Sequence, residues 1–143
     1  MMNSTRVRLA AGAALMASFL LFSVGSAQAE SGPLMATIPF GFYTGTTLMP
    51  AGEYRIDTIE NGVVKLFNRD THTPVLVSTS AVRNSSRELV SGKIVFHRYG
   101  QDYFLSEMWW SGSDVGSKAP ISNRERELAK GATPARIESL AHR

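Results

Sequence analysis

The stretch "FHRYGQDYFLSEMWW", residues 96–110, brings a histidine, an arginine, a glutamate, two tyrosines, two phenylalanines and both tryptophans of the chain together. Nucleophilic catalysis would need an activated serine or threonine with a base. No Gly-x-Ser-x-Gly elbow occurs, and the serines fall in linkers and on strand faces, so a hydrolase here would need a non-local set of serine, histidine and carboxylate. Asp57 and Glu107, acids in the interior of the expected strands, read as wet-face residues, because unpaired acids are rarely buried. A metal would need several ligands to converge. His72, His97 and His142 form no i, i+2 or i, i+4 pair, and only Asp70 stands near His72. "SGSDVGS" (111–117) lacks the Gly-Lys-Ser/Thr that completes a phosphate cradle and reads as a linker. The expectation is no catalytic residue, no cofactor and no metal site.

The aromatic residues then read as a packing hairpin, since cross-strand aromatic pairs stabilise a sheet by about 0.2–1 kcal/mol each. On alternation Val95, His97 and Tyr99 share one face and Ile94, Phe96 and Arg98 the other. In the return strand Tyr103, Leu105, Glu107 and Trp109 oppose Phe104, Ser106, Met108 and Trp110. Phe96, Phe104 and Trp109 are candidates for burial. Aromatic groups with arginine also suit an interface, so His97, Arg98, Tyr99, Tyr103 and Trp110 are the candidate partner-binding surface. His97 and Arg98 are expected to tolerate truncation. Arg98 is expected to lie over a ring or to pair with Glu107, Glu125 or Glu127.

The elements that carry this hairpin begin after a leader. "MMNSTRVR" is basic, Leu9 to Gly25 is uncharged, and Ala27-Gln28-Ala29 is a small-x-small site. That order is a signal peptide over 1–29, cut after Ala29, rather than an anchor. The mature chain is Glu30 to Arg143, 114 residues, enough for one domain with a core. Without Arg6 and Arg8 the 15 basic side chains become 13 against 12 acidic ones, so nucleic acid is not an expected partner. With no cysteine, stability rests on packing, and thiolate-held metals are excluded.

Residues 30–120 read as the β domain. Strands are expected at 34–43 (with Pro39 marking an edge or bulge), 53–60, 63–67, 75–82, 93–99 and 103–110. Asn61-Gly62 supplies the strongest hairpin signal. Residues 44–52 read as a loop and 111–120 as a linker. The fold class is therefore all-β: an antiparallel six-stranded meander forming a small barrel or roll, with a short C-terminal helix. Residues 121–143 form a helical, partly flexible tail. Ser122 and Glu125 match a capping box for a helix at 123–130 that docks through Leu128, and Ile137, Leu140 and Ala141 suggest another short helix. Deleting 131–143 should then matter little.

"LMPAGEYRI" (48–56), "GKIVFHRYGQDYFLSEMW" (92–109) and "SNRERELAK" (122–130) resemble the signatures of an uncharacterised family of small secreted β-rich bacterial proteins. These are its Leu-Pro-Ala-Gly-x-Tyr turn, its Phe-His-Arg-Tyr-Gly hairpin and its Glu-Arg-Glu-Leu segment, with Met49 where the family has leucine. The resemblance implies an exported domain and carries no activity. The functional expectation is a non-enzymatic periplasmic or extracellular module that binds an envelope protein or a cell-surface polymer, with no membrane span after cleavage. The alternatives are a small barrel for an apolar ligand and a hydrolase built from non-local residues. A core filled by Tyr54, Ile56, Phe67, Val77 and Phe96 would count against the ligand barrel.

Overall fold

The computed structural model describes residues 32–60, 62–86 and 91–142. The expected signal peptide and Asn61 lie outside them. Among the described residues the fold is all-β with one short helix near the C-terminus. Its strands are β1 (Leu34–Ile38), β2 (Phe42–Thr44), β3 (Thr47–Met49), β4 (Gly52–Glu60), β5 (Val63–Asn68) and β6 (Thr73–Ser78). They continue with β7 (Ser80–Arg83), β8 (Lys93–Tyr99), β9 (Asp102–Trp109), β10 (Val115–Lys118) and, after helix α1 (Asn123–Ala129), β11 (Ala135–Leu140).

These strands form two sheets rather than one closed six-stranded barrel. The first runs β1-β4-β5-β6; the second runs β11-β8-β9-β10-β7, with β2 paired to β9 and to β3. The chain changes sheet where it cannot continue straight. Pro39 has no N–H to give a ladder, so the expected 34–43 strand ends at Ile38 and resumes as β2 in the other sheet. The 75–82 run is likewise split at Thr79, whose N–H donates to the Gly62 carbonyl instead of to a neighbouring strand.

Alternation decides what faces the interior. Tyr54 and Ile56 of β4, Val64 and Leu66 of β5, Ile94 and Phe96 of β8, and Leu105 and Met108 of β9 meet in one buried cluster. Phe42 sits at its centre, edge-on to Tyr54 and to Phe96 at ring-centroid distances of 5.3 and 5.2 Å. Of the expected core, Tyr54, Ile56, Val77 and Phe96 are buried. Phe67 is not. It falls between Leu66 and Asn68, both buried, and so points to the outer face of the first sheet.

Two glycines have clear reasons. Gly62 holds φ 83°, in the left-handed region, at the turn between β4 and β5. Gly52 starts β4 where a Cβ would sit 2.5 Å from Asp70 Oδ2. That carboxylate accepts the Glu53 N–H, so the Pro-Ala-Gly turn is pinned by the loop beyond β5.

The tail departs most from the sequence reading. Residues 135–140 are a strand, not a helix, and pair with all of β8 but its last residue, from Ala135↔Arg98 to Leu140↔Lys93. "ARIESL" satisfies period 2 as well as it satisfies a helix; the open edge of β8 decides between them. Ile137 packs against the core while Glu138 reaches Lys93 at 3.0 Å. The chain end then covers β1: the His142 N–H donates to the Met35 carbonyl and the Ser139 hydroxyl to that of Thr37. Residues 111–120, read as a linker, contain β10. Among the described residues no helix is long and apolar enough to cross a membrane.

Deleting 131–143 should therefore be costly. It removes β11 and exposes one flank of β8, and the loss should reach at least the ~1.5–3 kcal/mol of one buried aliphatic side chain. Chemical denaturation of the truncated chain checks this, and an unchanged midpoint would show that β11 adds nothing.

Candidate functional site

The β8–β9 hairpin turns at Gly100 and keeps simple register as far as Phe96↔Leu105. The next pair is Val95↔Glu107, so Ser106 is an extra residue in β9. This bulge changes the phase of the strand. Tyr103 and Leu105 face the core before it, and Met108 and Trp110 after it. Phe104, Ser106, Glu107 and Trp109 take the outer face. Strict alternation, which groups Glu107 with Leu105, fails at this one residue.

Helix α1 covers part of that outer face. Ser122 caps it, its hydroxyl accepting the Glu125 N–H at 3.1 Å. The reciprocal half of the capping box is replaced: the Glu125 carboxylate turns into the sheet. Glu125 is 3% exposed, the buried residue of a helix otherwise rich in exposed charge. Arg124 beside it lies 4.9 Å from the Tyr43 ring centroid and reaches Asp102 at 3.3 Å. Tyr43 in turn stacks on Phe104 at 5.2 Å. Arginine is thus set over an aromatic ring by α1 rather than by Arg98, and Glu125 pairs with His97 rather than with Arg98.

Glu125 Oε1 lies 3.0 Å from His97 Nδ1 and accepts the Tyr99 hydroxyl at 3.3 Å. On the other side of the ring, His97 Nε2 lies 3.2 Å from Ser106 Oγ. With the carboxylate accepting from Nδ1–H, Nε2 is left to accept the serine hydroxyl proton. The order serine–imidazole–carboxylate is that of a nucleophile, its base and the group orienting the base. The same bonds satisfy a buried carboxylate, which would otherwise cost several kcal/mol. Burial, then the neighbouring Glu125 charge and the hydrogen bond to it, raise the Tyr99 hydroxyl above the ordinary phenol value. Burial also raises Tyr54, with Asp70 adding to it and Asn68 opposing.

The five residues of the expected binding surface do not share one surface. His97 and Tyr99 join the array under α1, with Tyr99 buried. Arg98 is exposed and makes no ion pair among the described residues. Tyr103 stacks on Phe40 at 3.8 Å on the core side. Trp110 belongs to the core cluster at the far end and lines a 460 Å³ cleft with Leu34, Gly92 and Ala141. Phe96, Phe104 and Trp109 are buried, as a packing hairpin requires. No spacing in the sequence marks Ser106, Tyr43 or Arg124 as site residues, whereas Glu125 carries two signals, its capping box and its availability to pair with Arg98.

A second candidate lies on the outer face of the first sheet. A 390 Å³ groove there is lined by Arg55, Asp57, Lys65, Phe67 and Arg69. Arg55 grips Asp57 at 3.0 Å and Arg69 grips Glu53 at 2.6 Å. Lys65 makes no ion pair among the described residues, although Asp57 and Leu76 are its neighbours across the ladders. His72, held at φ 58°, stands edge-on to Phe67 at 6.1 Å. Among the described residues no cluster of three or more His, Asp or Glu could hold a metal.

Comparison of the chain with known protein families, with curated proteins and with solved structures finds no match. The family resemblance therefore rests on its three motifs.

Two outcomes follow from the array. His97→Ala leaves a buried carboxylate with one of its donors gone and should cost about 1.5–3 kcal/mol, the range for hydrogen bonds to charged groups. Arg98→Ala should be close to neutral; equal melting temperatures for the two variants would contradict the array. The pH dependence has a definite sign. The folded state holds the Tyr99 proton more tightly than the unfolded chain, so this stability is fully present below about pH 10 and is lost as pH rises through the raised native value. Tyr99→Phe should flatten the alkaline decline in melting temperature, and an equally steep decline would remove Tyr99 as its source.

Proposed function

We propose that the mature domain is an exported binding module, periplasmic or extracellular, that docks a cell-surface polymer on the outer face of its first sheet. The groove around Phe67 carries this reading. An antiparallel sheet usually leaves one face to water, and here that face is not uniformly polar. Phe67 is half-buried there, Leu76 is 66% exposed and Ile59 49% exposed. Arg55, Lys65 and Arg69 stand around the ring.

A saccharide unit offers an apolar C–H face for such a ring and hydroxyl or acidic groups for the cations beside it. The Arg55–Asp57 pair also presents donor and acceptor together, and both side chains are already held in place before a ligand arrives. The leader over 1–29 supports the location, and the charge balance of the mature chain does not favour nucleic acid. The space between the sheets is filled by Phe42, Tyr54, Phe96 and their neighbours, which supports a surface in preference to an interior ligand site.

Affinity electrophoresis through gels containing soluble envelope polysaccharide tests the proposal. Wild-type protein should be retarded. Phe67→Ala should lose most of the retardation and keep its melting temperature, the behaviour of a surface hot spot. Retardation that survives both Phe67→Ala and Lys65→Glu would place the binding surface elsewhere.

A further inference from the structure

We propose that Ser106, His97 and Glu125 form an acyl-transfer centre, with Ser106 as nucleophile, His97 as base and Glu125 as the residue that positions the base. This goes beyond the binding role and does not depend on it. Three separate elements converge on the arrangement: β9 brings the serine, β8 the imidazole and α1 the carboxylate.

Both distances lie within hydrogen-bond reach, 3.2 Å for Ser106 Oγ to His97 Nε2 and 3.0 Å for His97 Nδ1 to Glu125 Oε1. That is the geometric requirement for a nucleophile and its base. Ser106 is buried at 5% exposure, so the hydroxyl is reached from the imidazole side. The Glu125 side chain is 4% exposed and the His97 side chain 27%, so the carboxylate is sealed while the imidazole reaches solvent. Tyr99 gives the carboxylate a second donor, which leaves one oxygen fixed towards His97. Ser106 is the bulged residue of its strand, and bulges re-aim side chains next to active sites.

A cation completes the set. Arg136 is the register partner of His97 on β11 and lies on the same face. Its side chain is about half exposed, and its guanidinium is tethered to Glu107 and Glu138 at 3.5 and 3.2 Å. An ester entering along the exposed side of His97 would meet this cation, which can stabilise the developing oxyanion.

The step balances without an added oxidant, reductant or cofactor. Ser106 Oγ bonds to the acyl carbon as its proton passes to His97 Nε2. The ester C–O bond breaks, and the alcohol leaves with that proton. His97 then takes a proton from water, the hydroxyl attacks the acyl-serine, and the proton returns to Ser106 as the carboxylic acid departs. The substrate class is a carboxylic ester small enough to pass beside α1.

A biotinylated fluorophosphonate, which traps serine nucleophiles with loss of fluoride, is the direct probe. Folded wild-type protein should take up one equivalent, and peptide mapping should place it on Ser106. His97→Asn should lower the labelling rate about 100-fold or more, the lower end of general-base contributions. Glu125→Gln should slow labelling and lower kcat on p-nitrophenyl acetate more than it changes KM. Ser106→Ala serves as the background for His72 and His142. Folded wild-type protein that remains unlabelled, or labelling that persists in Ser106→Ala, would overturn the proposal. So would a rate unchanged in His97→Asn, provided its near-ultraviolet circular dichroism is native.

Discussion

A carboxylate buried beneath a seven-residue helix is the constraint around which the outer half of this domain is arranged. A helix that short is marginal in isolation, and its leucine is only half-buried. Glu125 is what enters the sheet, and taking its charge from water requires donors already in place. They must come from one face of one strand. His97 and Tyr99, two residues apart on β8, meet that condition by the period of the strand alone. Arg124 adds an exposed clamp to Asp102 and Tyr43. The helix is therefore fastened by polar geometry more than by apolar area.

The bulge at Ser106 follows from the same face. Without it, Glu107 would share the core-facing phase of Leu105, and Met108 would turn to the outer side. One inserted residue corrects both. Glu107 instead meets the Trp109 indole N–H at 2.8 Å and Arg136 on the outer face. The hairpin was legible in the sequence as two apolar strands about a glycine turn, and so was the burial of Phe96, Phe104 and Trp109. The bulge was not, because an extra residue is defined only against a partner strand's register. A serine between two large side chains fits either phase.

The rest of the fold divides along similar lines. Local signals with one reading survive: Ser122 caps a helix, and Gly62 turns with positive φ. Signals with two readings are settled by what lies across the gap. "ARIESL" became a strand because β8 offered an unpaired edge, and part of the apparent 111–120 linker became β10 because β7 and β9 lay on either side of it. The reading of one six-stranded barrel or roll counted strands without knowing that Pro39 and Thr79 mark changes of sheet. Glu125 was legible as a capping residue, but its carboxylate was better satisfied by His97 and Tyr99 than by the backbone it was expected to reach.

The remaining question is whether the array does more than hold the helix. A mechanical tie needs Glu125 on the helix and His97 and Tyr99 on the sheet. Ser106 adds no link between them, since β8 and β9 are already joined by their ladder on both sides of the bulge. The second imidazole nitrogen needs a partner, but a ring that reaches solvent could find one in water. Alanine would occupy the bulge with the same backbone. A hydroxyl at hydrogen-bond distance from the free nitrogen of a carboxylate-held imidazole is therefore the one component that a packing account does not require, and it is the component that nucleophilic chemistry does.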